Sequence, residues 1–138
     1  MELVVNNLSF KSEIRNINLV EKLIDDISAT HSISTDIYGK ILLAVVEGVN
    51  NAIVHGNRLN KEKMVTVDYV LEDEIIEFTI SDQGSGFDFS QVPDPTKPEN
   101  IEKSHGRGIF LMNHLADEIE FLDNGCKVKL VFKLACGS

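Results

Sequence analysis

The most constraining feature of this sequence is the segment 41–56, which is apolar on nearly every face of a helix. Such a helix is normally buried on several sides, so other elements must pack around it. Glu47, Asn51 and His55 interrupt it at four-residue spacing, which places them in one line within an arc of about 80°. A buried carboxylate or amide without a partner costs on the order of several kcal/mol. Each of these groups therefore needs a partner, unless the line is the solvated face of an amphipathic helix.

The chemistry of this line favours a magnesium-phosphate group over a solvated face. The amide oxygen of Asn51 suits a hard cation such as Mg²⁺. Glu47, one helical turn earlier, can accept a proton from an attacking hydroxyl or water. Leu43 and Val54 flank the line, and a solvated face this narrow and poor in charge is unusual. His55 has a second interpretation, because a lone histidine near a helix end is commonly a cap or a core residue.

Helical spacing of apolar residues predicts two more helices around this central one. The central helix itself begins near Ser34 or Thr35 and ends at Gly56, where glycine is a natural stop. Ser12 is the predicted N-cap of an earlier helix, and helical periodicity returns over residues 109–116. The apolar positions of the earlier helix are Ile14, Ile17, Val20, Leu23, Ile24 and Ile27.

Alternating apolar residues predict the strands of one sheet. The first strand covers residues 2–10, and a hairpin follows over residues 64–71 and 74–81. A final hairpin covers residues 118–122 and 126–134. The expected fold is an α/β (α+β) two-layer sandwich, with helices over one face of a mixed, mainly antiparallel sheet. We expect residues 1–138 to form a single domain.

An aspartate and two glycines follow the predicted strand that ends at residue 81. Asp82 comes directly after the strand, and Gly84 and Gly86 follow it. A carboxylate at a strand end can accept a hydrogen bond from an exocyclic amine such as the N6 of adenine. The glycines permit close backbone approach. An ordinary turn is the alternative, because turns favour the same residues.

A second glycine pair lies at the predicted start of the third helix. Backbone amides at a helix N-terminus favour phosphate, so Gly106 and Gly108 are candidate phosphate contacts. Arg107 adds a positive charge, or is a solvated side chain. The pair lacks the G-K-[ST] ending of a Walker loop and the spacing of a dinucleotide fingerprint.

Composition limits the classes of partner. A formal net charge of −9 over 138 residues opposes non-specific attraction to nucleic acid or to an anionic membrane surface. Cys126 and Cys136 have no metal-ligand spacing, which argues against structural zinc. The first residues lack the pattern of a signal peptide, and no stretch reaches the length of a membrane span. These features together predict a cytoplasmic protein.

Three motifs in one order resemble a known family. The segments EGVNNAIVHG, DQGSGF and GRGIFLM resemble the N, G1 and G2 boxes of the GHKL (Bergerat-fold) ATPase superfamily. Within it, the form N-A-x-x-H-G at residues 51–56 is similar to that of the bacterial anti-sigma factors that are serine-protein kinases. The stretch DFSQVPDPTKPENIEKSHGRG resembles their nucleotide lid, and GCKVKLVF resembles their terminal strand.

This resemblance implies a role for each matching residue. Asn51 would coordinate Mg²⁺, Glu47 would be the general base, and Asp82 would recognise the adenine of ATP. Cys126 stands where the family has threonine, and Arg15 matches a partner-binding position. The other implied ATP contacts are Gly84 and Gly86 beside adenine, Gly106, Arg107 and Gly108 beside phosphate, and His55 and Lys103 near the phosphates.

The resemblance also implies an activity and its partners. The expected reaction transfers the γ-phosphate of Mg-ATP to a serine or threonine of a small anti-anti-sigma-like protein. A sigma factor is a second implied partner, and dimerisation through the first strand or helix is implied too. The alternative is a nucleotide-dependent binding module that sequesters a sigma factor with little or no kinase activity. A detached catalytic half of a histidine kinase is a further alternative.

Overall fold

The computed structural model describes residues 4–84 and 104–134. Their strands form one sheet in the order β1-β2-β3-β5-β4, and every pairing is antiparallel. The strands are β1 (Val4–Lys11), β2 (Met64–Glu72), β3 (Ile75–Ser81), β4 (Glu118–Leu122) and β5 (Lys127–Lys133). The helices are α1 (Ile17–His31), α2 (Thr35–Asn51) and α3 (Ser104–Leu115). The predicted two-layer fold with a mainly antiparallel sheet is confirmed.

The core lies between the helices and one face of the sheet. Alternate strand residues point toward the helices because successive side chains in a strand point to opposite faces. On the three central strands these buried residues are Val65, Val67 and Tyr69, then Ile76, Phe78 and Ile80, then Val128, Leu130 and Phe132. The intervening residues face away from the helices, and many of them are polar or charged.

Helix α2 is the central helix of the layer, as predicted. Ser34 is its N-cap, and its hydroxyl accepts a hydrogen bond from the backbone amide of Ile37 at 3.4 Å. After Asn51 the chain continues as a π-helical turn, Ala52–Gly56. The span Thr35–Gly56 is long and apolar enough to cross a membrane by length and composition alone. Here it packs against α1, α3 and the sheet, which is the position of a core helix.

Two predicted helix starts are wrong. Ser12 is not a helix cap: its hydroxyl donates to the Lys63 carbonyl at 2.7 Å and accepts from the Asn57 amide at 2.7 Å. A short 3₁₀ turn, Ile14–Asn16, comes first, and α1 begins after it. Helix α3 begins at Ser104, earlier than residue 109. Gly108 therefore lies in its second turn, where an amide is already bonded within the helix.

Candidate active site

Asp82 lies at the end of β3, where it is held by the neighbouring strand and by its own loop. Its backbone amide donates to the Cys126 carbonyl at 2.8 Å, and its carboxylate accepts from the Gly84 amide at 2.8 Å. Burial raises the pKa of the Asp82 carboxyl above its ordinary value of 3.8, and the bond from Gly84 partly opposes this shift. A desolvated carboxylate with remaining acceptor capacity is suited to receive an amine N–H.

Glycine is required where the loop after β3 meets the end of the π turn. A Cβ atom on Gly56 would overlap the carboxylate of Asp82. A Cβ atom on Gly84 would overlap the carbonyl group of Gly56. The two glycines therefore allow the backbones to approach closely enough to place Asp82 beside α2. The sequence motif predicts a site role for Gly84, whereas for Gly56 the sequence indicates only the end of a helix.

A cavity opens between α2, α3 and the sheet. Its walls are largely apolar, and its polar groups come from Asn51, Asp82 and Cys126. The apolar wall residues are Ala52, Ile80, Ile109, Met112, Phe121 and Val128. Such a cavity suits a flat heteroaromatic ring with a polar edge.

Asn51, Glu47 and Gly108 meet where α3 crosses α2. A Cβ atom built on Gly108 would lie 3.0 and 3.1 Å from the Asn51 amide nitrogen and oxygen, and 3.1 Å from a Glu47 carboxylate oxygen. Asn51 is only 9% exposed. Neither of its amide atoms has a hydrogen-bond partner among the described residues. Because an unsatisfied buried polar group costs about 1–3 kcal/mol, this arrangement indicates a ligand.

This donor set fits a magnesium ion held mainly by a phosphate ligand. Asn51 supplies an amide oxygen, a type of ligand that Mg²⁺ prefers, and the Glu47 carboxylate lies beside it. No group of three or more His, Cys, Asp or Glu side chains that could hold a metal occurs within residues 4–84 and 104–134. Mg²⁺ usually keeps several waters and substrate oxygens, so one or two protein ligands are sufficient.

Several other predicted site residues lie apart from this cavity or outside the residues that the structure describes. His55, in the π turn, does not line the cavity, and burial lowers the pKa of its imidazole. Arg107 is exposed on α3, and Arg15 lies in the 3₁₀ turn before α1, paired with Glu13 at 2.8 Å. For Gly106 only the helical backbone is described. Gly86 and Lys103 lie outside the described residues.

A buried asparagine behind the site was missed. Asn57 is 1% exposed, and its amide nitrogen donates to the Ser12 hydroxyl at 2.7 Å and to the Met64 carbonyl at 3.0 Å. Its oxygen accepts from the backbone amide of Gln83 at 2.8 Å. Asn57 thereby ties the loop that carries Asp82 to the start of β2 and to the residue that follows β1. No sequence signal identifies this role, because an asparagine after Gly56 reads as an ordinary turn residue.

The sequence also provides no prediction for Gly48, which lies at a close contact beside the cavity. A Cβ atom there would lie 2.5 Å from the Ile80 side chain and 3.2 Å from the Met112 sulfur. The residue therefore lets α2 pack directly against β3 and α3, beside the cavity. Its position within an apolar helix gave no sign of this contact, because the neighbours come from distant parts of the chain.

This chain is similar to known proteins over much of its length. Residues 10–132 match the family described as "Histidine kinase-like ATPase domain". Anti-sigma F factors of Bacillus cytotoxicus and Bacillus thuringiensis are each 38% identical to this chain over 89 residues, which is 62% of this chain and 60% of theirs. The alignment thus spans less than two thirds of the length of these curated relatives.

A solved structure shows the same fold. The crystal structure of the RsbU and RsbW domains of Rv1364c from Mycobacterium tuberculosis superposes with a TM-score of 0.70 at 15% sequence identity. The match covers 98% of this chain and 34% of that chain. At this level of identity the likeness concerns the fold alone.

Proposed function

Because this chain belongs to the histidine kinase-like ATPase domain family, we propose that it transfers the γ-phosphate of magnesium-bound ATP to a serine or threonine of a small regulatory protein. Membership of an ATPase family implies ATP as the ligand. The kinase activity, the magnesium ion and the protein substrate are the proposed part. The proposal rests on the buried amide of Asn51, which has no hydrogen-bond partner within residues 4–84 and 104–134 and lies beside the Glu47 carboxylate.

The adenine end of the ligand fits the apolar part of the cavity. The Asp82 carboxylate would accept a hydrogen bond from the exocyclic amine of adenine, while the ring packs against Ile80 and Met112. Guanine has a carbonyl oxygen where adenine has this amine, so a carboxylate would repel it. The proposed site therefore prefers ATP to GTP.

The phosphate end fits the meeting point of α2 and α3. Asn51 would hold the magnesium ion, and Gly106, Arg107 and Gly108 would line the phosphates. When bound, the ion would neutralise charge on the phosphate oxygens during transfer. Gly86, Lys103 and His55 are proposed as further ATP contacts on the resemblance of the motifs alone.

Glu47 is the proposed general base. It lies one turn before Asn51 on the same face of α2 and is half-buried beside Gly108. From there its carboxylate can accept the proton of a substrate hydroxyl as the oxygen attacks the γ-phosphate. A positioned general base contributes on the order of 10²–10⁴-fold to a rate.

The partner class is proposed from the relatives, which are named anti-sigma F factors. From that name we propose two partners, a sigma factor and a small anti-anti-sigma-like substrate. We also propose that the protein acts in the cytoplasm and binds neither nucleic acid nor membranes. Arg15 is the candidate contact, because its side chain is 80% exposed on the turn between β1 and α1. A homodimer through β1 or α1 completes the proposal.

The kinase proposal is tested by comparing Glu47→Gln with the unaltered protein. Calorimetry with Mg-ATP should give unchanged binding, while transfer of radiolabel from ATP to an anti-anti-sigma-like protein should fall at least about 100-fold. Glu62→Gln is a matched control, because Glu62 is exposed and lies away from the cavity. Label transfer by Glu47→Gln at the normal rate would exclude Glu47 as the base.

The same measurement separates the two candidate functions. Nucleotide-dependent complex formation without any label transfer by the unaltered protein would replace the kinase with the binding module. Acid-labile label on a partner histidine would instead favour histidine kinase chemistry.

A further inference from the structure

We propose that Cys126 is a modification site, at which a small disulfide can attach and exclude nucleotide from the cavity. This inference rests on the proposed nucleotide site. The motif resemblance leads one to expect threonine at this position. Threonine could not fill the role that is assigned here to the thiol. Threonine has a hydroxyl group and does not undergo thiol-disulfide exchange.

The position of the thiol is set by two hydrogen bonds. The backbone carbonyl of Cys126 accepts from the Asp82 amide at 2.8 Å, which aligns the start of β5 with the end of β3. The Cys126 sulfur lies 3.1 Å from the Gly84 carbonyl oxygen, to which it donates. The thiol is thereby held next to the groups that would contact adenine. It is partly buried and lines the cavity.

An independent observation shows that this cavity is built for a ligand. Asn51 lines the same cavity from the opposite element, α2. This residue is 9% exposed, and its buried side-chain amide atoms have no hydrogen-bond partner among the residues described. A group attached to the Cys126 sulfur and a ligand that satisfies Asn51 would therefore compete for one space.

The proposed step is thiol-disulfide exchange. The Cys126 thiol loses its proton to water, and the thiolate attacks one sulfur of the small disulfide. A new sulfur-sulfur bond forms as the old one breaks, and the second half leaves as a thiolate that takes up a proton from water. Electrons balance without a further oxidant, and a free thiol reverses the reaction.

The surroundings of the sulfur determine which reagents react. Burial and the carboxylates of Asp82 and Asp123 raise the pKa of the Cys126 thiol. The thiolate fraction at neutral pH is therefore small, and the reaction should accelerate as the pH rises. The same carboxylates repel anionic reagents, so an uncharged disulfide should react faster than a dianionic one.

The test uses the full chain with Cys136→Ser, which leaves Cys126 as its one thiol. Uncharged 4,4′-dithiodipyridine is added, and release of pyridinethione is followed by absorbance. Mg-ADP at ten times its measured dissociation constant should slow the release about 11-fold, because only about one molecule in eleven then has an open cavity. The modified protein should lose ADP binding, and dithiothreitol should restore it.

A second variant with both Cys126→Thr and Cys136→Ser is the matched control. Its affinity for ADP, whatever its value, should not change on treatment with the reagent. Equal release rates with and without ADP would overturn the inference, as would unchanged ADP binding by the modified protein. If untreated Cys136→Ser protein binds no ADP, the proposed function itself fails, and this inference fails with it.

Discussion

Replacing Gly108 with alanine should weaken nucleotide binding while leaving the fold at least as stable. Gly108 lies within α3, and an alanine in a helix interior is favoured over glycine by about 0.8–1.0 kcal/mol. Close contacts of the new methyl group offset part of this gain, so for a domain of this size the melting temperature should rise by less than about 4 °C. A decrease in binding could then not be attributed to unfolding.

The loss of binding follows from the distances around the new methyl group. It would lie 3.0 and 3.1 Å from the Asn51 amide atoms and 3.1 Å from a Glu47 oxygen, whereas ordinary contacts begin at 3.4 Å. The amide and carboxylate must therefore move by a few tenths of an ångström. Because Asn51 is proposed to hold the magnesium ion, we expect this movement to lower the affinity for Mg-ADP about tenfold, or by about 1.4 kcal/mol.

Thermal unfolding of the ligand-free protein and calorimetry with Mg-ADP together measure both effects. Gly39→Ala is the matched control, because Gly39 also lies within a helix but a Cβ atom there meets nothing within 4 Å. It should stabilise the protein without changing affinity. Unchanged affinity in Gly108→Ala would refute the assignment of Asn51 to the ligand. A large loss of stability would show that Gly108 serves packing alone.

Two further predictions concern groups behind and within the site. Asn57→Ala should lower the free energy of unfolding by about 3 kcal/mol in urea titrations, because it leaves buried groups around Ser12 and Gln83 without partners. Asn60→Ala, at an exposed position, should cost less than about 0.5 kcal/mol, and equal costs would contradict the assigned role of Asn57. For Asp82, burial raises the folded pKa above 3.8, so the native state binds more protons than the unfolded state and stability falls as pH rises through this window. Asp82→Asn should remove that part of the pH dependence of the free energy of unfolding, and it should also remove the preference for ATP over GTP. If the free energy of unfolding kept the same dependence on pH in this variant, Asp82 would not titrate as described.

Much of the candidate site could be proposed from the sequence because its groups stand out against local patterns. Asn51 and Glu47 interrupt an apolar helix, and Asp82 follows a strand whose alternation is regular. Gly48 and Asn57 could not be found in this way. Glycine and asparagine are common in loops and turns, and neither residue breaks the periodicity of its own segment.

The sequence by itself determined the elements and their buried faces. The strand alternation, the apolar spacing of α1 and the Ser34 cap depend on residues within a few positions of one another, so they can be read locally. Only the tertiary structure decided that Ser12 bonds to Asn57 instead of capping a helix, and that Gly108 lies against Asn51. These contacts join segments 45 and 57 positions apart in the chain. They depend on how the helices and strands pack against one another. The residues next to each group in the sequence do not indicate its partner, because packing joins segments that are distant in the chain.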